Sequence, residues 1–114
     1  MSHGGIALGA RGERLATAWY EQNGYVVVAR NWRCDVGEID LIATRGDTAV
    51  IAEVKTRMSA RFGVPAEAVG IAKQRKLRRL AAAWLAQSTT RYEEVRFDVV
   101  AIIGSDVEVI AGAF

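Results

Sequence analysis

Gly37-Glu38-Ile39-Asp40-Leu41-Ile42-Ala43 and, after a short break, Ala49-Val50-Ile51-Ala52-Glu53-Val54-Lys55-Thr56-Arg57 form the stretch on which the fold turns. Both runs are rich in Ile, Val and Ala. Arg45-Gly46-Asp47-Thr48 separates them, so they read as two strands joined by a tight hairpin. Ionised residues interrupt both runs, and Asp and Glu are depleted in strands and rarely buried unless paired or bound to a metal. Side chains alternate along a strand. If Arg45 and Thr48 close a two-residue turn, Ile42 faces Ile51, Asp40 faces Glu53 and Glu38 faces Lys55. All the charges then share one face with an apolar pair beneath them. Two opposed carboxylates repel at a cost of roughly 0.2–1 kcal/mol. A divalent cation between them reverses that sign, and Lys55, one step on, would hold a water or a phosphate oxygen. A slip of one residue would put Asp40 and Glu53 on opposite faces and remove the site.

Asp40, a gap of twelve residues and then Glu53-Val54-Lys55 resembles the D…(D/E)xK motif of restriction-endonuclease-like nucleases. The wider wording is similar to a small uncharacterised bacterial family, the YraN-like proteins. Four phrases carry that likeness: Gly12-Glu13, Gly37-Glu38-Ile39-Asp40-Leu41-Ile42, Glu53-Val54-Lys55-Thr56-Arg57 and Arg96-Phe97-Asp98-Val99-Val100. D…ExK alone is a common pattern; the four phrases in order are far more specific, and they cover nearly the whole chain.

The resemblance implies a restriction-endonuclease-like αβββαβ core, a mixed sheet flanked by helices. It also implies a metal-dependent DNA endonuclease, similar to Holliday-junction resolvases, that acts on branched or structured DNA and leaves 5′-phosphate ends. On that pattern Asp40, Glu53 and Lys55 are the catalytic residues. Glu13, Asp40, Glu53 and the Val54 carbonyl hold Mg²⁺ or Mn²⁺, ions suited to hard oxygen ligands. Glu38 adjusts Lys55 or the metal from behind. Without the resemblance, Glu13 would read as an ordinary exposed helical Glu.

At 114 residues the chain reads as one domain, 1–114, with residues 1–5 a mobile tail. The net charge of +2 is unevenly spread. Lys73, Arg75, Lys76, Arg78 and Arg79 gather five cations in seven residues, and the remainder of the chain sums to −3. Such a local patch points to nucleic acid. Cys34 is alone, which excludes an internal disulfide or a cysteine zinc site. No apolar run approaches the roughly 18 residues of a membrane span, and the N-terminus has no secretory pattern, so the expected compartment is the cytoplasm.

Residues 6–22 read as a first helix, with Leu8, Gly12, Leu15, Ala16, Trp19 and Gln22 on or near one stripe and Asn23-Gly24 as its stop. Gly12 would let that helix approach the sheet closely. Tyr25–Ala29 is the first strand, and Asn31–Val36 is a loop or its continuation. Arg33 reads as a solvated charge near Asp35, and Trp32 as packing at the sheet margin. Residues 58–64 form a loop and 65–69 a short helical turn. The main helix runs from about Ile71 to Gln87, with Gly70 as N-cap and Leu77, Leu80, Ala81, Trp84 and Leu85 as its apolar stripe. Lys73 falls on that stripe's side and points toward the site. Lys73, Arg75, Lys76 and Arg79, with Arg57 from the hairpin, are the expected nucleic-acid contacts. Val95–Ile103 and Val107–Ile110 complete the strands, and Arg96 and Asp98 read as a structural salt bridge. The first three strands form an antiparallel meander, and the second helix makes a crossover to a parallel fourth.

The expected partner is DNA, with RNA open beside it, no membrane, and a homodimer as one route to substrate selection. The competing reading keeps the fold as a nucleic-acid-binding or partner-binding module with little or no turnover.

Overall fold

A computed structural model describes residues 3–57 and 69–114, with side chains for 10–56 and 69–114. The elements in order are α1 (His3–Gln22), β1 (Val26–Cys34), β2 (Gly37–Arg45), β3 (Thr48–Arg57), α2 (Ile71–Gln87), β4 (Glu94–Ile103) and β5 (Asp106–Ile110). The expected loop and helical turn between residues 58 and 68 lie outside the described residues. The order is αβββαβ with one added strand, the architecture that the sequence implies. The five strands lie in one sheet in the order β1-β2-β3-β4-β5. All neighbours are antiparallel except β3 and β4, which run parallel.

The β2–β3 hairpin has the expected register: Arg45 pairs with Thr48 and Ile42 with Ile51. Gly46 has φ 57°, which suits a glycine-first two-residue turn that matches the twist of its strands. The ladder stops at Leu41–Ala52, and the two strands part beyond it. β1 runs through the expected loop as far as Cys34. It carries a bulge between Val27 and Ala29, and Asn31 sits at φ 54°.

The two helices cover opposite faces. Ala16 and Tyr20 of α1 pack with Leu41, Ala43, Val50, Ala52, Val100 and Ile102. Leu77, Leu80, Ala81 and Trp84 of α2 pack with Ile39, Ile42, Ile51, Phe97 and Val99. The α2 stripe is the expected one, and Gly70 is its N-cap. The buried face of α1 runs through Gly12, Ala16 and Tyr20, with Gln22 exposed. Gly12 is what allows the approach: a Cβ there would stand 2.5 Å from Thr56 Oγ1. α1 starts at His3 rather than Ile6; Gly4, Gly5 and Gly9 lower local helix propensity and hide the true start in the sequence. It stops at Asn23-Gly24, where Gly24 has φ 86° and the Tyr25 amide reaches back to the Tyr20 carbonyl.

Asp98, wholly buried on β4, ties the layers together. It accepts from the Tyr20 hydroxyl at 2.6 Å, from Arg96 at 2.8 and 2.9 Å, and from the Gly112 amide at 3.0 Å. The expected Arg96–Asp98 bridge is present, and the Tyr20 hydroxyl is pushed far above its usual pKa, by burial first and by Asp98 second.

Candidate functional site

The fork past Leu41–Ala52 is where the charged side chains gather. The Asp40 carboxylate fills the gap left by the interrupted ladder and accepts the Val54 amide at 2.8 Å. Asn31, opposite it on β1, bends that strand: the β1–β2 pairing has rungs at Arg30–Leu41 and Trp32–Ile39 but none between. Strict alternation breaks here as well. Ile39 joins the α2-side cluster while Leu41, two residues on, joins the α1-side cluster.

Burial pushes the Asp40 pKa up to about 6, and Glu53, Glu13 and Glu38 push in the same direction; only the Val54 amide opposes them. Glu53, 6 % exposed, answers its own burial with two cations. Lys55 Nζ and Lys73 Nζ each stand 3.5 Å from its Oε1. Lys73 reaches in from the first turn of α2, as its helical position implies. Glu13, on the partly buried flank of α1, accepts from Asn31 Nδ2 at 2.6 Å. Glu38 does not face Lys55. The ladder has ended by that point, and Glu38 pairs with Arg33 at 3.3 Å.

Six of the expected residues, Glu13, Glu38, Asp40, Glu53, Lys55 and Lys73, thus meet around one fork. Among the described residues, no three carboxylate, thiol or imidazole groups stand close enough to hold an ion as placed. Asp40 and Glu53 remain a donor pair of hard oxygens, and Mg²⁺ typically takes one or two carboxylates and completes its shell with water and phosphate. The donor chemistry therefore fits such an ion, and a cation there would relieve the repulsion that Glu53, Glu13 and Glu38 exert on Asp40.

The basic helix is only partly turned to this site. Arg75 and Arg79 are exposed. Lys76 lies across Gly37, its Cε 2.7 Å from where a Cβ would be. Arg78 turns away, 4.8 Å above the Phe97 ring. Arg57 closes β3, and its side chain lies outside the described residues. The sequence reading missed Asn31, whose signal was an Asn inside a strand run, a residue depleted in strands and tolerant of positive φ. It also missed Arg14 and Arg30, which flank Glu13 and Asn31 in a groove between α1 and β1.

Residues 12–102, a span that holds every one of these side chains, match the model of an uncharacterised protein family, UPF0102. A UPF0102 protein of Beutenbergia cavernae is 56% identical over 97 residues, covering 85% of this chain and 82% of its own. One of Rhodococcus opacus is 50% identical over 103 residues, covering 90% and 86%. One of Acidothermus cellulolyticus is 44% identical over 123 residues, covering 95% and 93%. No helix among the described residues is long and apolar enough to cross a membrane.

Proposed function

The chain belongs to the uncharacterised protein family UPF0102, and from the chemistry of its fork we propose that it is a metal-dependent endonuclease of DNA, acting on branched or structured substrates. The observation that carries this reading is the Asp40–Glu53 pair: two carboxylates in electrostatic contact beside two lysines, at the point where the sheet opens.

Asp40 and Glu53 would hold Mg²⁺ or Mn²⁺, with the Val54 carbonyl and Glu13 as further oxygen donors. When bound, such an ion lowers the pKa of a water and neutralises phosphate charge. The chain's own groups do the rest. Asp40 is fixed through Oδ2 by the Val54 amide, which leaves its other oxygen to serve as a ligand. Lys55 is placed to orient the attacking water and to meet charge that develops on the phosphate. Lys73 balances Glu53 while no other cation is present. Glu38 and Glu13 keep the local potential negative. The water oxygen bonds to phosphorus and gives up its proton to solvent, the bond to the 3′ oxygen breaks, and that oxygen takes a proton from solvent, so the ends are a 5′-phosphate and a 3′-hydroxyl. A cytoplasmic setting suits this substrate.

A second reading, a binding module without turnover, draws on the same triad: Lys55 and Lys73 already neutralise Glu53, a closed arrangement that needs no metal. Calorimetry with Mn²⁺ in metal-free buffer separates the two readings. The wild type should bind saturably, alone or with DNA present, and Asp40→Asn/Glu53→Gln should not. Cleavage of a junction or flap substrate should require Mg²⁺ or Mn²⁺ and vanish in Asp40→Ala. DNA binding without cleavage, unchanged in Glu53→Gln, would establish the module instead.

A further inference from the structure

We infer that the groove between α1 and β1 is a second phosphate track, which seats the backbone of a base-paired DNA arm on Arg14, Arg30 and Arg33 beside the carboxylate fork. This rests on the nuclease reading and assigns residues that the basic helix does not account for. Among the residues that line the groove are Glu13, Arg14, Arg30, Asn31, Arg33 and Glu38. Its two carboxylates, Glu13 and Glu38, both raise the Asp40 pKa, so the groove lies beside the fork. At about 950 Å³ it reaches the top of the roughly 300–1,000 Å³ range of small-molecule sites.

Its arginines are available. Arg14 and Arg30 are exposed and make no ion pair among the described residues. Arg33, whose side chain is 75 % exposed, pairs among the described residues with the solvent-screened Glu38 alone, a contact a phosphate can replace. Arg33 and Glu38 also line a smaller hollow with Cys34, Gly37 and Lys76. The cationic path therefore continues round the β1–β2 turn to α2, and Gly37 is the residue whose missing side chain lets Lys76 lie there.

The lining selects the form of the ligand. Among the described residues no aromatic ring lines the groove, so its described wall gives unpaired bases no stacking platform. Arginines and an edge of backbone meet phosphates without reading sequence. The other occupant to consider is a second copy added along β1, which exposes Val26 and Val28. The bulge between Val27 and Ala29, the positive φ of Asn31 and the outward arginines all interrupt that edge, and these are the devices that block strand addition.

The test is anisotropy of a labelled 20-base-pair duplex in EDTA, where no cutting occurs. It compares the wild type with Arg14→Ala/Arg30→Ala/Arg33→Ala and with Arg91→Ala, a control near the opposite end of the sheet, where Glu93 bonds Asp47. Thermal melts confirm that each variant is folded. The triple variant should lose at least about tenfold in affinity at moderate salt, and its log–log salt slope should be shallower by about 2.7, at about 0.9 per phosphate contact. Arg91→Ala should match the wild type, and a single strand of equal length should bind more weakly than the duplex. A folded triple variant with wild-type affinity and slope overturns this inference and leaves the nuclease reading standing on α2. Tighter binding of the single strand overturns the base-paired assignment. A wild type that binds no DNA either in EDTA or with Ca²⁺ in place of Mg²⁺ removes the nuclease reading beneath it.

Discussion

The Asp40 carboxylate accepts the Val54 amide at 2.8 Å just past the last rung of the β2–β3 ladder, the Leu41–Ala52 pair. A side chain thereby takes the place of a strand carbonyl. The sheet stays satisfied while it opens, and a carboxylate is held where three others repel it. The folded pKa is pushed up to about 6 from the usual 3.8. A group raised in this way binds protons more readily folded than unfolded. Its contribution to stability therefore falls as pH rises from about 4 to about 6, and the full penalty persists above that. Asp40→Asn keeps an acceptor for the Val54 amide and removes the charge. It should be more stable than the wild type by roughly 1–3 kcal/mol at pH 8 and about equal to it at pH 4, by the rule of about 1.4 kcal/mol per pKa unit. Denaturant unfolding at both values checks this; an equal difference at pH 4 and pH 8 would contradict it.

Glu53 shares one oxygen between Lys55 and Lys73, and this redundancy has a signature. The Lys73 side chain is 40 % exposed, so its pairing is screened, and Lys73→Ala alone should cost only about 0–1 kcal/mol. Removing both lysines leaves a buried carboxylate with no cation. Lys55→Ala/Lys73→Ala should therefore lose about 1–3 kcal/mol more than the sum of the single changes. Adding Glu53→Gln to that pair should recover most of the excess. Additive losses would mean that the lysines act independently of Glu53.

Local signals made much of this molecule legible. The Gly46-Asp47 turn fixed the hairpin register, and the 3.6 period of Leu77, Leu80, Ala81 and Trp84 gave α2 its bounds and its buried face. The expected face-sharing of Glu38, Asp40 and Ile42 assumed unbroken alternation, which Asn31 and the parted strands interrupt. For that reason Glu38 meets Arg33 instead of Lys55. Tyr20 escapes the expected α1 stripe of Leu8, Gly12, Leu15, Ala16, Trp19 and Gln22. Gly12 and Ala16 are buried as that stripe implies and Leu15 and Trp19 pack partly buried beside them, but Tyr20, not Gln22, completes the buried face. Asp98 showed its bridge to Arg96 but not its bond to Tyr20, 78 positions away, because nothing local marks a contact of that separation.

Gly12→Ala sets helix propensity against packing. Alanine favours an exposed helix by about 1 kcal/mol over glycine, but here the added methyl would stand 2.5 Å from Thr56 Oγ1 with Ile102 and Val54 at 3.6 Å. The clash should win, at a net cost of about 1–3 kcal/mol. Thr56→Ala opens that space, so Gly12→Ala should be less damaging in a Thr56→Ala background than alone. Thermal melts of the four proteins give the coupling, and a Gly12→Ala variant as stable as the wild type would show that α1 can shift outward freely.

Tyr20 and Asp98 offer the sharpest contrast between losing a bond and stranding a charge. Tyr20→Phe keeps the ring, with its edge-on contacts to Trp19 and Tyr25, and removes one of the donors to Asp98. Arg96 and the Gly112 amide still serve the carboxylate, so the cost should be about 1–3 kcal/mol. Asp98→Ala removes the hub itself. Arg96 then keeps only the Tyr25 hydroxyl at 3.0 Å, the Tyr20 hydroxyl loses its buried acceptor and the Gly112 amide its anchor. Breaking a buried ion pair from one side costs about 3–5 kcal/mol. Asp98→Ala should therefore be clearly the more damaging change, and in its background Tyr20→Phe should be neutral or stabilising, because it deletes a hydroxyl that no longer has a partner. Unfolding of the two single variants and the double variant tests this. A Tyr20→Phe penalty of equal size with and without Asp98 would show that the two residues do not act through their bond.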